Sequence, residues 1–164
     1  MKEKKIVMIL CTCCIVMCII LIGLSRNGDD KTLEFDPPPF DNHAVKGKPQ
    51  VPDDYNWSEL MNENIEFSIG LSGRLVIDDD NNIAIYFYNG EDNQVWLKLR
   101  VYDFNKNIIA ETGLIKPGEY IKEIELQNKI RVGEHIKVKV MSYQPETYYS
   151  EGAFILDMKM TDKE

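Results

Sequence analysis

The sequence VWLKLRVY at residues 95–102 indicates the fold class, because apolar and polar side chains alternate along it one by one. A period of two places successive side chains on opposite faces of a strand, so that one apolar row faces a core and a mixed row faces outward. Residues 135–143, 83–88 and 153–160 alternate in the same manner. Because no helical period of comparable length follows Tyr55, the sequence predicts an all-β domain.

Seven candidate strands follow one another, and turn residues such as Asn89-Gly90 and Pro117-Gly118 separate them. Short strands at this spacing, about seven in about 100 residues, predict an immunoglobulin-like antiparallel β-sandwich. A small barrel is the alternative, and residues 55–64 fit either one helical turn or an edge strand. The predicted strands cover residues 65–71, with 74–77 extending or following it, and then 83–88, 95–102, 108–114, 120–126, 135–143 and 153–160.

A run of nineteen uncharged, mostly apolar residues covers positions 6–24. As a helix it would span about 28 Å at ~1.5 Å per residue, which is close to the ~30 Å hydrocarbon core of a bilayer. The lysine-rich residues 1–5 precede it, so the run predicts a single-pass signal anchor with a cytoplasmic N-terminus and an extracellular remainder. The alternative is a cleaved signal peptide, with Gly23 and Ser25 at the cleavage site.

All four cysteines of the chain lie inside this run, where the simplest interpretation is that they are small apolar residues of a membrane helix. Acylation and an interchain disulfide are the alternatives.

Residues 25–56 contain five of the seven prolines and many aspartates. Such a composition predicts an extended or flexible spacer, which leaves residues 57–164 as the extracellular domain.

The sequence outside the membrane run lacks the usual signatures of catalysis. It has no cysteine, no Gly-x-Ser-x-Gly elbow and no phosphate-binding glycine loop. We therefore predict neither an enzyme nor a cofactor. An intramolecular amide bond between Lys98 and Asp157, with Glu123 as the acid, is conceivable, but alternation places Lys98 and Asp157 on outward rows facing water.

The most concentrated acidic loop, residues 78–82, reads Asp-Asp-Asp-Asn-Asn. Calcium prefers oxygen donors of this kind, so Asp78 and Asp80 are candidate ligands. The loop does not follow the helical calcium-loop pattern, and a solvated hairpin turn is the alternative.

Aromatic side chains give the candidate binding surface. Tyr86 and Tyr88 lie on the predicted outward row of one strand, and Trp96 and Tyr102 lie on that of the next. If these strands pair as a hairpin, all four share one side, with Tyr143 nearby. Exposed aromatic rows favour protein or sugar partners. The alternatives are cross-strand pairs that only stabilise the sheet, or a second half of the core.

Beyond residues 1–5 the sequence has 16 basic and 26 acidic side chains, a formal charge of −10. Such a surface repels nucleic acid at long range, so we do not expect a nucleic-acid partner.

The stretches FYNGEDNQVWLKLRVYD (87–103), GLIKPGEYIKEIEL (113–126) and KIRVGEHIKVKV (129–140) carry a resemblance to a family. The chain resembles the small single-pass surface proteins of Gram-positive bacteria of the Firmicutes type, which have one immunoglobulin-like domain. The resemblance implies topology and fold and transfers no catalytic residue. Where the family has Gly-x-Tyr this chain has His135 after Gly133, and an imidazole there is expected to bond to backbone.

Together these features predict a membrane-anchored, extracellular, non-enzymatic module for interaction or adhesion, whose partner is a protein or a cell-wall component. The alternative function is a structural accessory of a surface, pilus or conjugation assembly, bound by strand addition at a sheet edge. A cleaved secreted protein and an unrecognised enzyme are further alternatives.

Overall fold

The structure, a computed structural model, describes residue 17 and residues 35–62, 67–78 and 80–162, without the side chains of residues 62 and 162. The chain divides into two compact units, Met1–Asp36 and Pro37–Glu164. Apart from the helical Met17, the predicted membrane run lies outside the described residues. Within the described part, no helix has the length and apolar character needed to cross a membrane.

The second unit is all-β, as predicted. The sequence left the structure of residues 55–64 open. Tyr55 ends a single turn of 3-10 helix (Asp53–Tyr55), and the described residues Trp57–Asn62 form a strand. The strands are β1 Val45–Lys46, β2 Trp57–Asn62, β3 Phe67–Ser72, β4 Leu75–Ile77, β5 Asn82–Asn89, β6 Trp96–Tyr102, β7 Ile108–Glu111, β8 Glu119–Glu125, β9 His135–Tyr143 and β10 Ser150–Asp162.

The strands form two groups. In the first group β5 is central, with β8 and then β1 on one side, and with β3 and β4 on the other; β2 lies beyond β3. The second group is antiparallel, in the order β7-β6-β9-β10. The last residues of β10, Met160–Asp162, pair in parallel with β4 and join the two groups into one curled sheet.

Residues from Pro37 onward belong to the second unit, although they fall in the predicted spacer. The Leu114 amide donates a hydrogen bond to the Pro39 carbonyl oxygen, and the Asp41 amide donates one to the Leu114 carbonyl oxygen. Val45 and Lys46 then pair with β8. Extended backbone of the kind that proline favours can pair along a strand, so a proline-rich composition did not prevent this segment from packing.

The core lies between the two groups and is built from the predicted alternating rows. The row Leu97, Leu99 and Val101 of β6 is fully buried, and so is the matching row of β9. In the inward row of β10, by contrast, Phe154, Leu156 and Met158 are only partly buried, whereas Met160 is fully buried. The cluster includes Phe67, Ile69, Leu71, Leu75, Ile83, Ile85, Phe87, Ile121, Ile136, Val138, Val140 and Met160, with Phe154, Leu156 and Met158 packed against it.

Candidate binding face

The predicted aromatic surface divides between the two strand groups. Tyr86 and Tyr88 lie in β5, which pairs with β3, β4 and β8, while Trp96 and Tyr102 lie in β6, which pairs with β7 and β9. The expected hairpin between these two strands is therefore wrong. The five predicted aromatic residues do not form one surface.

Tyr86 and Tyr88 are also buried, with exposed fractions of 6% and 3%, so their expected outward exposure is corrected. A β-bulge between Ala84 and Phe87 breaks the alternation of β5, and Tyr86 has a positive φ of 45° there. The chain entering β2 packs on Tyr86: the Tyr55 ring lies edge-on to the Tyr86 ring at 5.1 Å, and the Trp57 indole Nε1 donates to the Tyr86 carbonyl oxygen. Burial raises the pKa of the Tyr86 phenol. Both tyrosines are therefore packed inside the domain.

Trp96 and Tyr143 do lie together, as directly opposed residues of β6 and β9. Phe40 packs edge-on against Trp96 with ring centroids 4.8 Å apart. The Tyr148 ring also packs edge-on against Trp96, with ring centroids 5.3 Å apart. The Lys116 Nζ lies 4.4 Å from the centre of the Phe40 ring, within the range of a cation–π contact. We call Phe40, Trp96, Tyr143 and Tyr148 the aromatic cluster. Sequence reasoning missed Phe40, for which the only signal was an aromatic residue within the proline-rich segment.

A row of basic side chains continues from this cluster along the same outward side of the sheet. Lys98 is opposite Met141, Arg100 is opposite Lys139, and Tyr102 is opposite Lys137. Together with the aromatic cluster, the outward side chains of β7, β6, β9 and β10 make up what we call the β6–β9 face. Among the described side chains that the strand register places on this face, five are basic and two are carboxylates. The basic residues are Lys98, Arg100, Lys137, Lys139 and Lys159, and the carboxylates are Glu111 and Asp157; the exposed Glu151 lies in the β-bulge at the start of β10. The face is therefore locally basic in a strongly acidic chain.

Glu111 organises the centre of this row. Its Oε2 lies 3.2 Å from the Lys98 Nζ and 2.6 Å from the Arg100 Nε. Partial burial opposes ionisation of Glu111, but the hydrogen bonds from Arg100 and Lys98 together outweigh it, so the pKa of the carboxyl lies below its ordinary value. Lys98 is only 6% exposed, although its row was expected to face water.

The residues considered for an amide cross-link are not assembled for it. Lys98 pairs with Glu111, whereas Asp157 accepts a hydrogen bond from the Lys137 Nζ at 2.6 Å. Glu123 lies on β8 in the other strand group.

His135, expected to bond to backbone, begins β9 with an exposed side chain.

The acidic loop is a tight turn centred on Asp78. Its Oδ1 accepts hydrogen bonds from the Asp80 and Asn82 amides at 3.0 and 2.8 Å, while Asp80 itself is exposed. Among the described residues, no three His, Cys, Asp or Glu side chains are placed to hold a metal ion. Calcium binding by Asp78 and Asp80 stays a prediction.

A cleft of about 600 Å³ opens beside β8. Its walls carry four carboxylates, those of Asp41, Glu111, Glu123 and Glu125, together with His43 and one lysine, Lys122. The Asp41 Oδ2 accepts the Gly113 amide at 2.8 Å, and its Oδ1 accepts the His43 amide at the same distance. Asp41 thus fixes the segment before β1 to the residues that follow β7.

No protein family and no curated protein matches the sequence. The function therefore has to be inferred from the side chains themselves, and the β6–β9 face is the site on which that inference rests.

Proposed function

We propose that the protein is a membrane-anchored, non-enzymatic interaction module of a Gram-positive bacterium. Its second unit, an immunoglobulin-like β-sandwich, lies outside the cell and binds an extracellular protein or a cell-wall partner. The observation that carries the proposal is the β6–β9 face, where an aromatic cluster adjoins an excess of basic side chains on a chain of net charge −8.

The sandwich assignment is supported by the two strand groups and their rows of buried side chains. Rows from β6 and β9 pack against rows from β3 and β5 in one cluster, as the inner faces of two layers do. The parallel pairing of β10 with β4 is an additional feature, because it lets one strand take part in both groups.

The aromatic cluster supports binding because its rings are rigid and only partly buried. Trp96, Tyr143 and Tyr148 are each half-buried, so a partner can cover further apolar area at low entropic cost. The adjoining lysines and arginine favour a partner with anionic groups and steer it towards this side of an otherwise acidic domain.

Photo-crosslinking in intact cells tests the proposal. A photoreactive amino acid replaces Tyr149, which is 73% exposed and adjoins the aromatic cluster, in the full-length chain. The matched control carries it at Phe104, 79% exposed in the β6–β7 turn. We expect a specific adduct from position 149 that the K137E/K139E background strongly reduces. Equal adducts from both positions, or an adduct unchanged in that background, would refute this binding face.

The identity of the adduct separates adhesion from the second candidate function. A foreign or wall partner supports adhesion, whereas a co-encoded membrane protein supports a structural accessory of a surface assembly. The accessory function is favoured by one observation: within the described part of the chain, Ser150–Lys159 of β10 pairs with a strand on one side only.

A further inference from the structure

β10 has a long free edge. Ser150–Lys159 pairs with β9 on one side, and within the described part of the chain only Met160–Asp162 pairs on the other. A free edge offers unpaired N–H and C=O groups to another strand, and proteins usually protect it with proline, a short length or inward charges. β10 is thirteen residues long and has no proline, and its β-bulge lies near its start, between Ser150 and Gly152. Over residues 152–160 it turns only apolar residues and Gly152 inward.

The side chains of this edge leave apolar surface open. The inward residues Phe154, Leu156 and Met158 are only partly buried, although they pack against the core. On the outward side Ile155 is 56% exposed. Both rows would lose solvent contact if a further strand were added beside β10.

We propose that the strand added there is β10 of a second copy of this chain. Consider two antiparallel copies of β10 related by a two-fold axis perpendicular to the sheet. Directly opposed residues of the two copies lie on the same side of the sheet, so the axis must pass through a residue and not between two residues. With the axis at Ile155, the isoleucines of the two copies oppose each other. Lys159 of each copy then lies opposite Glu151 of the other, which is the extra residue of the β-bulge between Ser150 and Gly152. Phe154 lies opposite Leu156.

Neighbouring registers are less favourable. An axis at Leu156 sets Lys159 opposite Ala153 and forms no opposite-charge pair. An axis at Asp157 sets two aspartates directly opposite each other, which is destabilising. The exposed Glu151, Ile155 and Lys159 thus make this edge self-complementary in one register. The order β7-β6-β9-β10 would then continue into the second copy as one sheet of eight strands, whether or not the β6–β9 face binds a partner.

Disulfide trapping in the full-length chain tests the register. The four native cysteines are replaced by alanine, and Ile155→Cys is introduced on the exposed side of β10. Directly opposed residues of an antiparallel pair have Cα atoms about 4.5–5.5 Å apart, which is within disulfide range. We therefore expect a covalent dimer under mild oxidation, well above the level that Phe104→Cys gives.

Two further variants act as matched controls. Ala153→Cys and Asp157→Cys should each fail to link to themselves, because four residues of strand, ~13 Å, separate the two copies of either position. Mixed together they should link, since Ala153 opposes Asp157 in the proposed register. Self-linking of D157C, or failure of I155C to exceed the F104C background, would overturn the proposal.

The charge pairs give a second test that needs no cysteine. The mass of the detergent-solubilised full chain is measured by light scattering across a dilution series. K159E should weaken dimerisation by roughly three- to tenfold, because two symmetry-related pairs become repulsive, and E151K/K159E should restore it. A monomeric native chain, or a dimer that K159E leaves unchanged, would show that β10 does not pair in this way.

Discussion

The Nζ atom of Lys98 lies 3.2 Å from the Oε2 atom of Glu111, and this contact accounts for a lysine buried on a row predicted to face water. The same oxygen accepts a hydrogen bond from the Nε of Arg100, the residue of β6 that lies opposite Glu111. A buried ammonium group is stable only when it is paired. Glu111 is thus the residue that allows two cations to lie side by side on the β6–β9 face.

Replacing this carboxylate should destabilise the domain. We expect Glu111→Gln to lower the free energy of unfolding at pH 7 by about 1–3 kcal/mol, because the buried Lys98 loses its charged partner. Denaturant titration measures the loss. Glu125→Gln, at an exposed position on β8, is the control and should have little effect. K98M/E111Q should recover much of the loss, since a buried methionine needs no partner.

The ion pair of Lys98 and Glu111 predicts that the stability of the domain depends on pH. The folded-state pKa of Glu111 lies below its ordinary value of 4.5, so the unfolded chain binds this proton first as the pH falls. The stabilisation is complete above the ordinary pKa and is lost as the pH falls through the folded pKa. The gap in stability between the native chain and E111Q should therefore narrow below about pH 4.5. A difference in stability between the native chain and E111Q that stays constant down to pH 2 would contradict the lowered pKa of Glu111.

Asn89 fixes the turn that leads from β5 towards β6. Its amide nitrogen donates to the Val95 and Ile115 carbonyl oxygens at 2.9 and 2.8 Å, and its Oδ1 accepts from Asn93. Because Asn89 is fully buried, Asn89→Ala should cost more than about 2 kcal/mol of stability by leaving these groups unsatisfied. Thermal and denaturant unfolding provide the measurement, with the exposed Asn128→Ala as control. Equal effects of the two changes would argue against the network.

Gly70 makes room for the Trp57 indole. A Cβ atom at position 70 would collide with Cζ2 of that ring and lie 2.9 Å from its Cε2. Gly70→Ala should therefore displace the indole and destabilise the domain by about 1–3 kcal/mol. Because the chain has a second tryptophan, Trp96, fluorescence is compared in a W96F background, where a red shift is expected. G70A/W57L should be more stable than G70A alone; if it is not, the collision is not the cause.

The predicted topology can be tested separately in intact cells with a membrane-impermeant maleimide. In a chain whose four cysteines are replaced, Asp30→Cys should be labelled, because it follows the membrane run on the extracellular side. Glu3→Cys should be labelled only after the cells are permeabilised. Labelling of both positions, or of Glu3→Cys alone, would contradict the proposed orientation.

The free edge of β10 also illustrates what sequence patterns leave open. The alternation of residues 153–160 predicted a strand and its apolar row, and both are present. Whether a strand lies in the middle or at the edge of a sheet depends on which other strands reach it. That is a property of chain topology, and the alternation of one segment carries no record of it.

Sequence alone determined the all-β class, the buried rows of β6 and β9, and the turn at Asn89-Gly90, because alternation and turn residues act within a few neighbouring positions. Only the tertiary structure placed β5 and β6 in different strand groups, buried Tyr86 and Tyr88, and set Phe40 against Trp96. The physical reason is that pairing and burial depend on contacts between segments far apart in the chain. Those contacts are selected by the packing of the whole core, which local spacing does not specify.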